Sequence, residues 1–141
     1  MKYQESAGII LYRVINNTIE YLLLHYKSGH WDLPKGKIEK DETKEQAALR
    51  ELHEETNLHT IIIPGFEKQL DYIFTDYDGL LTHKTVYFFI GKAAQKQDII
   101  LSAEHQNFLW LTFEQALEKL TYKNAQNILQ KAHKYISTLE K

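Results

Sequence analysis

Residues 36–58, GKIEKDETKEQAALRELHEETNL, decide the fold that this sequence predicts. Read as a helix at about 100° per residue, Glu51 and Glu55 lie roughly 40° apart, and Glu54 lies roughly 60° to the other side of Glu51. Like charges at these spacings destabilise an isolated helix by a few tenths of a kcal/mol per pair. The cluster therefore indicates a compensating partner, and a hard divalent cation with oxygen ligands suits that role. A solvated acidic face is the alternative.

The same stretch predicts how the helix is placed. Ala48, Leu49 and Leu52 form an apolar stripe beside the carboxylates, so this side of the helix is expected to dock on a core. Asp41 is the expected N-cap residue, because its side chain can accept hydrogen bonds from the first free backbone amides.

The spacing of these residues resembles the Nudix box, G-x5-E-x7-R-E-U-x-E-E-x-G-U, in which U is a bulky aliphatic residue. The matching positions are Gly36, Glu42, Arg50, Glu51, Leu52, Glu54, Glu55 and Leu58. Asn57 replaces the usual glycine where a helix end needs a left-handed residue, and asparagine is the common substitute there. The resemblance implies hydrolysis of a diphosphate linkage by a single Nudix domain over residues 1–141.

Composition limits the possible functions. The 141 residues suit one core, and the absence of cysteine excludes disulfides, thiolate metal sites and cysteine nucleophiles. With no membrane-length apolar run and no signal-peptide pattern, we expect a cytoplasmic protein. The net charge of −2 argues against a general nucleic-acid binder. Because Arg13 and Arg50 are the only arginines, phosphate binding must rely on lysines, hydroxyls, backbone amides or metal ions.

The rest of the chain predicts a mixed sheet between helical layers, the α/β/α sandwich that the Nudix resemblance also implies. Tyr21-Leu22-Leu23-Leu24 is expected to be buried on both faces, and alternation puts Lys84 and Tyr87 on opposite faces of one strand. Polar segments at 27–40 and 95–106 are predicted to be loops. Strands are predicted at 6–14 and 19–26, which should form a hairpin, and at 61–63, 66–75, 83–92 and 108–111, with helices at 113–120 and 122–141.

A wider resemblance, from about residue 7 to about residue 134, is to the asymmetrical diadenosine tetraphosphate hydrolases within the Nudix family. Its matching pieces are Ala7-Gly8-Ile9-Ile10, Tyr21-Leu22-Leu23-Leu24, His30-Trp31, Pro34-Lys35-Gly36, Gly65-Phe66, Lys84-Thr85-Val86-Tyr87, Ser102-Ala103-Glu104-His105 and Trp110-Leu111. This resemblance implies Mg²⁺, or Mn²⁺, held by Gly36, Glu51, Glu54, Glu55 and Glu104. It also implies that His30, Lys35 and Lys84 face the phosphate chain and that Tyr87 lies at an adenine.

The roles of several residues stay open at this stage. Glu54 is the candidate general base because its direction diverges from that of Glu55, and Glu51 is its rival. Arg50 is expected to orient a carboxylate of the box, whereas Glu42 is equally well read as structural or functional. Glu104 joins the catalytic candidates from outside the box.

The expected reaction is metal-dependent hydrolysis of diadenosine 5′,5‴-P1,P4-tetraphosphate to ATP and AMP by a monomer that needs neither a membrane nor a long nucleic acid. The alternatives are the 5′ end of triphosphorylated RNA and a free nucleoside triphosphate. A non-catalytic nucleotide-binding module is a third alternative, whose expected mark is the loss of glutamates that are all present here.

Overall fold

The computed structural model describes residues 1–94 and 97–141, so part of the predicted loop at 95–106 lies outside the described residues. Within them, a seven-stranded mixed sheet lies between helices. In chain order the elements are β1 (Lys2–Ile15), β2 (Thr18–Tyr26), β3 (Trp31–Asp32), β4 (Lys35–Lys37), α1 (Lys44–Thr56), β5 (Lys68–Thr75), β6 (Leu81–Lys92), β7 (His105–Thr112), α2 (Phe113–Lys119) and α3 (Lys123–Leu139).

The sheet is organised around β1. Its path runs β3-β2-β1-β6-β5, with β4 paired to β1 and β7 paired to β2. The β1–β6 pair is parallel and the other pairs are antiparallel. The predicted hairpin of β1 and β2 is confirmed, and it turns at Asn16 and Asn17, whose φ angles of 48° and 65° both lie in the left-handed region. Asparagine tolerates that region at hairpin turns.

Two apolar layers cover the sheet and confirm the predicted sandwich. On one face α1 packs its buried Ala48 and Leu52 against β1, with Leu49 half-buried. On the other face α3 contributes a buried stripe of Ala125, Ile128, Leu129, Ala132 and Ile136. The run Tyr21-Leu22-Leu23-Leu24 is fully buried between these layers, as the sequence predicts.

The sequence predicts the C-terminal end of α1 correctly but not its N-terminal end. Asn57 takes a left-handed φ of 64° and donates its backbone N–H to the His53 carbonyl at 2.8 Å, as expected of a C-terminal residue. The N-cap prediction was wrong: Thr43 caps the helix and forms a reciprocal capping box with Gln46. Asp41 has a φ of 65°, whereas an N-cap residue needs an extended backbone.

The other differences from prediction concern strand boundaries. The predicted loop at 27–40 contains β3 and β4, two strands too short to show a period. The predicted strand at 61–63 is reduced to one bridge, Ile62 to Gly91, and β5 begins at Lys68 rather than Phe66. His105, predicted as loop, is the first residue of β7, because β2 supplies the backbone partners.

No helix within the described residues is long and apolar enough to cross a membrane.

Candidate active site

Strand β4 presses its central glycine against α1. A Cβ atom at Gly36 would overlap the Glu51 carboxylate, so a larger residue there would require that carboxylate to move from its present position. Lys35 and Lys37, which flank Gly36, point to the other side of the strand by simple alternation. The turn from β4 into α1 therefore brings a backbone edge and a carboxylate into direct contact.

The Arg50 guanidinium ties the glutamates of α1 to the segment that precedes the helix. Its Nη1 donates to Glu51 Oε1 at 2.9 Å and to both carboxylate oxygens of Glu54 at 3.1 Å. Its Nη2 donates to Glu42 Oε1 and to the Lys37 carbonyl, each at 2.9 Å. The hydrogen bond from Arg50 is also the main reason that the pKa of Glu42 is lowered. The fork of N–H donors on Arg50 therefore orients several carboxylates at once.

Glu55 is the most deeply buried of these carboxylates, with 3% of its surface exposed. Its Oε2 lies 3.3 Å from His105 Nε2 and 3.4 Å from the Tyr26 hydroxyl, which donates to it. Its Oε1 has no hydrogen-bond partner among the described residues. Burial raises the pKa of Glu55 to about 7, against the opposing influence of His105. A buried carboxylate oxygen without a donor is the feature that a bound cation would satisfy.

Glu104 reaches this group from a distant part of the chain. It is exposed in the turn before β7, and its carbonyl accepts the backbone N–H of Lys27 at 3.2 Å. Burial raises the pKa of Glu51 despite the contact with Arg50, and the charges of Glu54 and Glu104 add to that rise. The structure therefore brings Glu104 within electrostatic range of the helix glutamates.

These carboxylates are turned toward protein partners. Within residues 1–94 and 97–141, no three His, Cys, Asp or Glu side chains are gathered closely enough to hold a metal ion. Arg50 engages Glu51 and Glu54, while Tyr26 and His105 contact Glu55. The donors nevertheless fit a hard divalent cation, because they are all oxygens and the buried Oε1 of Glu55 is unpaired.

A cavity of about 490 Å³ opens on the α3 side of the sheet. Its lining includes six residues with polar groups: His30, Asp32, Lys35, Tyr72, Lys84 and Tyr122. The structure thus brings together three of the four substrate residues that the resemblance implied. The other lining residues named here were missed by the sequence analysis. Alternation along β5 could have indicated Tyr72, but nothing in the sequence places Tyr122 beside it.

The cavity favours an anion at its β4 end. Lys84 lies half-buried, and burial, followed by the nearby charges of Lys35 and Lys37, lowers its pKa to about 8. The nearest counter-charge to Lys35 is Asp32, whose carboxylate lies 3.7 Å away. Lys84 has no acidic partner within ion-pair distance among the described residues, so an incoming phosphate would relieve the repulsion between these amines.

Tyr26 links the cavity to the glutamates. Its ring stacks on His30 with the ring centroids 4.7 Å apart, while its hydroxyl contacts Glu55. The His30 ring in turn lies 5.4 Å from that of Tyr122, and burial lowers the pKa of His30. Tyr26 therefore connects a residue that lines the cavity with a carboxylate of α1.

Tyr87 lies outside this cavity. The prediction that Lys84 and Tyr87 occupy opposite faces of β6 is confirmed, since the strand has no bulge between them. The Tyr87 hydroxyl donates to Glu5 Oε2 at 2.8 Å, and Lys44 Nζ lies 4.6 Å from the centre of its ring. The structure therefore does not bring Tyr87 together with His30, Lys35 and Lys84.

The chain matches the family model of the NUDIX domain over residues 2–132. The chain belongs to the Nudix family. It is 32% identical to the asymmetrical bis(5′-nucleosyl)-tetraphosphatase of Sus scrofa, covering 95% of this chain and 96% of that protein. It is also 32% identical to the enzyme of the same name from Caenorhabditis elegans, over 94% and 96% of the two chains.

Solved Nudix structures give the same result. A C. elegans Ap4A hydrolase in a binary complex superimposes with a TM-score of 0.86 at 31% identity, covering 96% of this chain and 98% of that one. The predicted family and the predicted α/β/α fold are therefore confirmed, and α1 is the Nudix helix.

Proposed function

We propose that this protein is a single-domain Nudix hydrolase that cleaves diadenosine 5′,5‴-P1,P4-tetraphosphate into ATP and AMP. The observation that carries the proposal is a cavity with two lysines, of which Lys84 has no acidic partner among the described residues, and with aromatic rings beside the glutamates of the Nudix helix. The aromatic rings can stack on an adenine, the lysines can contact the phosphate chain, and the glutamates lie where the scissile anhydride would be hydrolysed. The names of the relatives described above support the same substrate.

The aromatic part of the cavity would hold one adenine. Tyr72 and Tyr122 line the cavity together with His30, which is already held in place by its stack on Tyr26. Stacking a base on an aromatic side chain is typically worth about 1–3 kcal/mol. Lys35 and Lys84 would contact the phosphates as point charges, and the polyphosphate would keep the Lys84 amine protonated at neutral pH.

A divalent cation, Mg²⁺ or Mn²⁺, would be held by Glu51, Glu54 and Glu55 of α1, by Glu104 and by the backbone at Gly36. When bound, such an ion neutralises phosphate charge and lowers the pKa of a coordinated water. The protein would contribute the buried unpaired oxygen of Glu55, the packing of Gly36 against Glu51 and the turn that presents Glu104.

Hydrolysis needs a carboxylate to accept the proton of the attacking water. Glu54 and Glu51 are the two candidates, and Arg50 donates to both, so it would position whichever one acts. The water oxygen forms a bond to the terminal phosphorus of the chain, the bridging P–O bond breaks, and its electron pair leaves on ATP. The developing charge on the leaving phosphate would be met by the lysines.

One chain carries the cavity, the lysines and the glutamates, so we propose that the protein acts as a monomer on small dinucleoside polyphosphates. The test of the function is turnover of a panel that contains diadenosine tetraphosphate, ATP and a short 5′-triphosphorylated RNA with Mg²⁺. We expect the highest kcat/KM for the dinucleotide. Faster turnover of the RNA or of ATP would assign the site to one of those substrates instead.

A further inference from the structure

The loop at 100–105 closes over the C-terminal end of the Nudix helix. The backbone N–H of Ile100 donates to the Thr56 carbonyl at 2.9 Å, and that of Ser102 donates to the Glu55 carbonyl at 3.0 Å. These carbonyls belong to the last turn of α1, where no partner is available within the helix. The far end of the loop is tied to the residue that follows β2, because the backbone N–H of Lys27 donates to the Glu104 carbonyl. The loop that carries Glu104 is therefore fixed to the helix that carries Glu55.

One side chain completes this connection. The side chain of His105 is fully buried and stands edge-on to Tyr26, with the ring centroids 4.3 Å apart. Its Nδ1 lies 2.8 Å from Ser102 Oγ, and its Nε2 lies 3.3 Å from Glu55 Oε2. This Nε2 is close to Glu55 but has no formed hydrogen bond among the described residues.

The neighbours of His105 determine which ring nitrogen carries the hydrogen. When Glu55 is ionised, its carboxylate only accepts hydrogen bonds, so the ring nitrogen that faces it is the donor. Nδ1 must then accept, and the Ser102 hydroxyl can donate to it while its oxygen receives the backbone N–H of Glu104 at 3.4 Å. The donors along the series Glu104 N–H, Ser102 hydroxyl and His105 Nε2 therefore all point toward Glu55.

We propose that His105 is a positioning residue that holds Oε2 of Glu55 and leaves its Oε1 free for the metal ion. The inference rests on the metal-dependent function proposed above. The loop with Glu104 and the helix with Glu55 then act as one metal-binding unit rather than as two independent sets of ligands. Partners that orient metal ligands commonly change metal affinity by 10–100-fold when they are lost.

Packing alone does not explain this residue. An imidazole buried against a carboxylate loses more hydration than an aliphatic side chain of similar size would. That cost is compensated only if the position of the carboxylate matters. His133 is a partly buried histidine that does not contact the glutamates of α1. Its Nδ1 lies 2.7 Å from the Tyr21 hydroxyl, and its ring stacks on Phe113. It supplies a matched control for the loss of a histidine.

Two substitutions separate the two ring nitrogens. In His105→Asn the amide replaces Nδ1, keeps the contact with Ser102 and cannot reach Glu55. In His105→Gln the amide replaces Nε2 and keeps the contact with Glu55. We expect the Kd of Mn²⁺, measured by electron paramagnetic resonance, to rise at least about tenfold in His105→Asn and to be largely restored in His105→Gln. The value of kcat should follow the same order, with little change in KM.

His133→Gln should lower Tm and leave the Mn²⁺ Kd unchanged. Ser102→Ala, which keeps the loop backbone, should raise the Kd several-fold and carries the test if His105→Asn does not fold. Wild-type Mn²⁺ affinity in His105→Asn, or in Ser102→Ala if His105→Asn does not fold, would overturn the positioning role, and so would equal losses in His105→Asn and His105→Gln. Wild-type protein that binds no Mn²⁺ and does not cleave the dinucleotide would instead overturn the proposed function.

Discussion

The Glu51 carboxylate fills the space in which a side chain at Gly36 would stand. Gly36→Ala should therefore displace Glu51 without disturbing the backbone, because the φ of Gly36 is not in the left-handed region. We expect kcat to fall at least about tenfold and Mn²⁺ affinity to weaken. Both are measured beside Tm.

Gly79→Ala is the matched control for that change. Gly79 has a φ of 75°, and no atom lies within 4 Å of the position that an alanine methyl group would take, so alanine there strains the turn without touching the site. We expect a lower Tm, by an amount corresponding to about 1 kcal/mol, with normal kcat. If Gly36→Ala kept wild-type kcat and metal affinity, the packing of Gly36 on Glu51 would have no functional role.

The candidate general base is identified by separating proton transfer from metal binding. Glu54→Gln and Glu51→Gln each remove one carboxylate while keeping its size. The base variant should lose roughly 100-fold or more in kcat with its Mn²⁺ Kd unchanged, whereas a metal-ligand variant should lose both. Single-turnover rates and Mn²⁺ titrations of the two variants make the comparison. A residue whose variant is normal in both measurements has neither role.

We expect Lys84 to lower the free energy of unfolding while it contributes to substrate binding. Its pKa is lowered to about 8, mainly by burial, so at pH 7 the folded protein holds a protonated amine in an unfavourable place. Lys84→Met should therefore raise Tm by roughly 2–4 °C at pH 7, or about 1 kcal/mol once the remaining solvent contact is allowed for. The same variant should raise KM at least about tenfold, because a phosphate contact is lost.

The stabilisation by Lys84→Met should depend on pH in a defined direction. The unfolded lysine stays protonated up to its ordinary pKa, whereas the folded one begins to lose its proton near 8. Wild-type protein therefore regains stability between pH 8 and about 10.5, and the Tm advantage of the variant should shrink over that interval. Lys68→Met, at an exposed lysine of β5, should show little change at any pH. An equal Tm difference at pH 7 and pH 10 would contradict this account.

The adenine contact is tested by comparing tyrosines on the two faces of the sheet. Tyr72→Ala and Tyr122→Ala should each raise KM for the dinucleotide by about 5–100-fold, the equivalent of one lost stacking contact. Tyr87, which the family resemblance placed at an adenine, lies on the opposite face, and we expect Tyr87→Ala to leave KM within about twofold. The reverse pattern would show that the substrate occupies the α1 face instead of the cavity.

The sequence predicted the parts of this molecule that depend on local pattern and spacing. The glutamates of α1, the left-handed Asn57, the buried run at Tyr21 and the apolar stripe of α3 all follow from periodicity or from residue type. The Nudix family and its fold followed from the spacing of the box residues, which a family comparison confirms.

The features that depend on pairing between distant segments were out of reach. β4 is only three residues long and exists because β1 pairs with it. Thr43 rather than Asp41 caps α1 because the chain turns through a left-handed residue at Asp41. Tyr122 reaches the cavity from the connection before α3, and His105 meets Glu55 across 50 residues of sequence. Each of these contacts is created by tertiary packing and leaves no periodic signal.

The regiochemistry of cleavage tests the central proposal most directly. Diadenosine tetraphosphate is hydrolysed in ¹⁸O-water with Mg²⁺. The nucleotides are separated by chromatography, and the ¹⁸O content of each is measured by mass spectrometry. We expect equal amounts of ATP and AMP with the label in AMP, because water attacks the phosphorus at the end of the chain. ADP as the only product, or label in ATP, would contradict the proposed position of the substrate along the lysines and the Nudix helix.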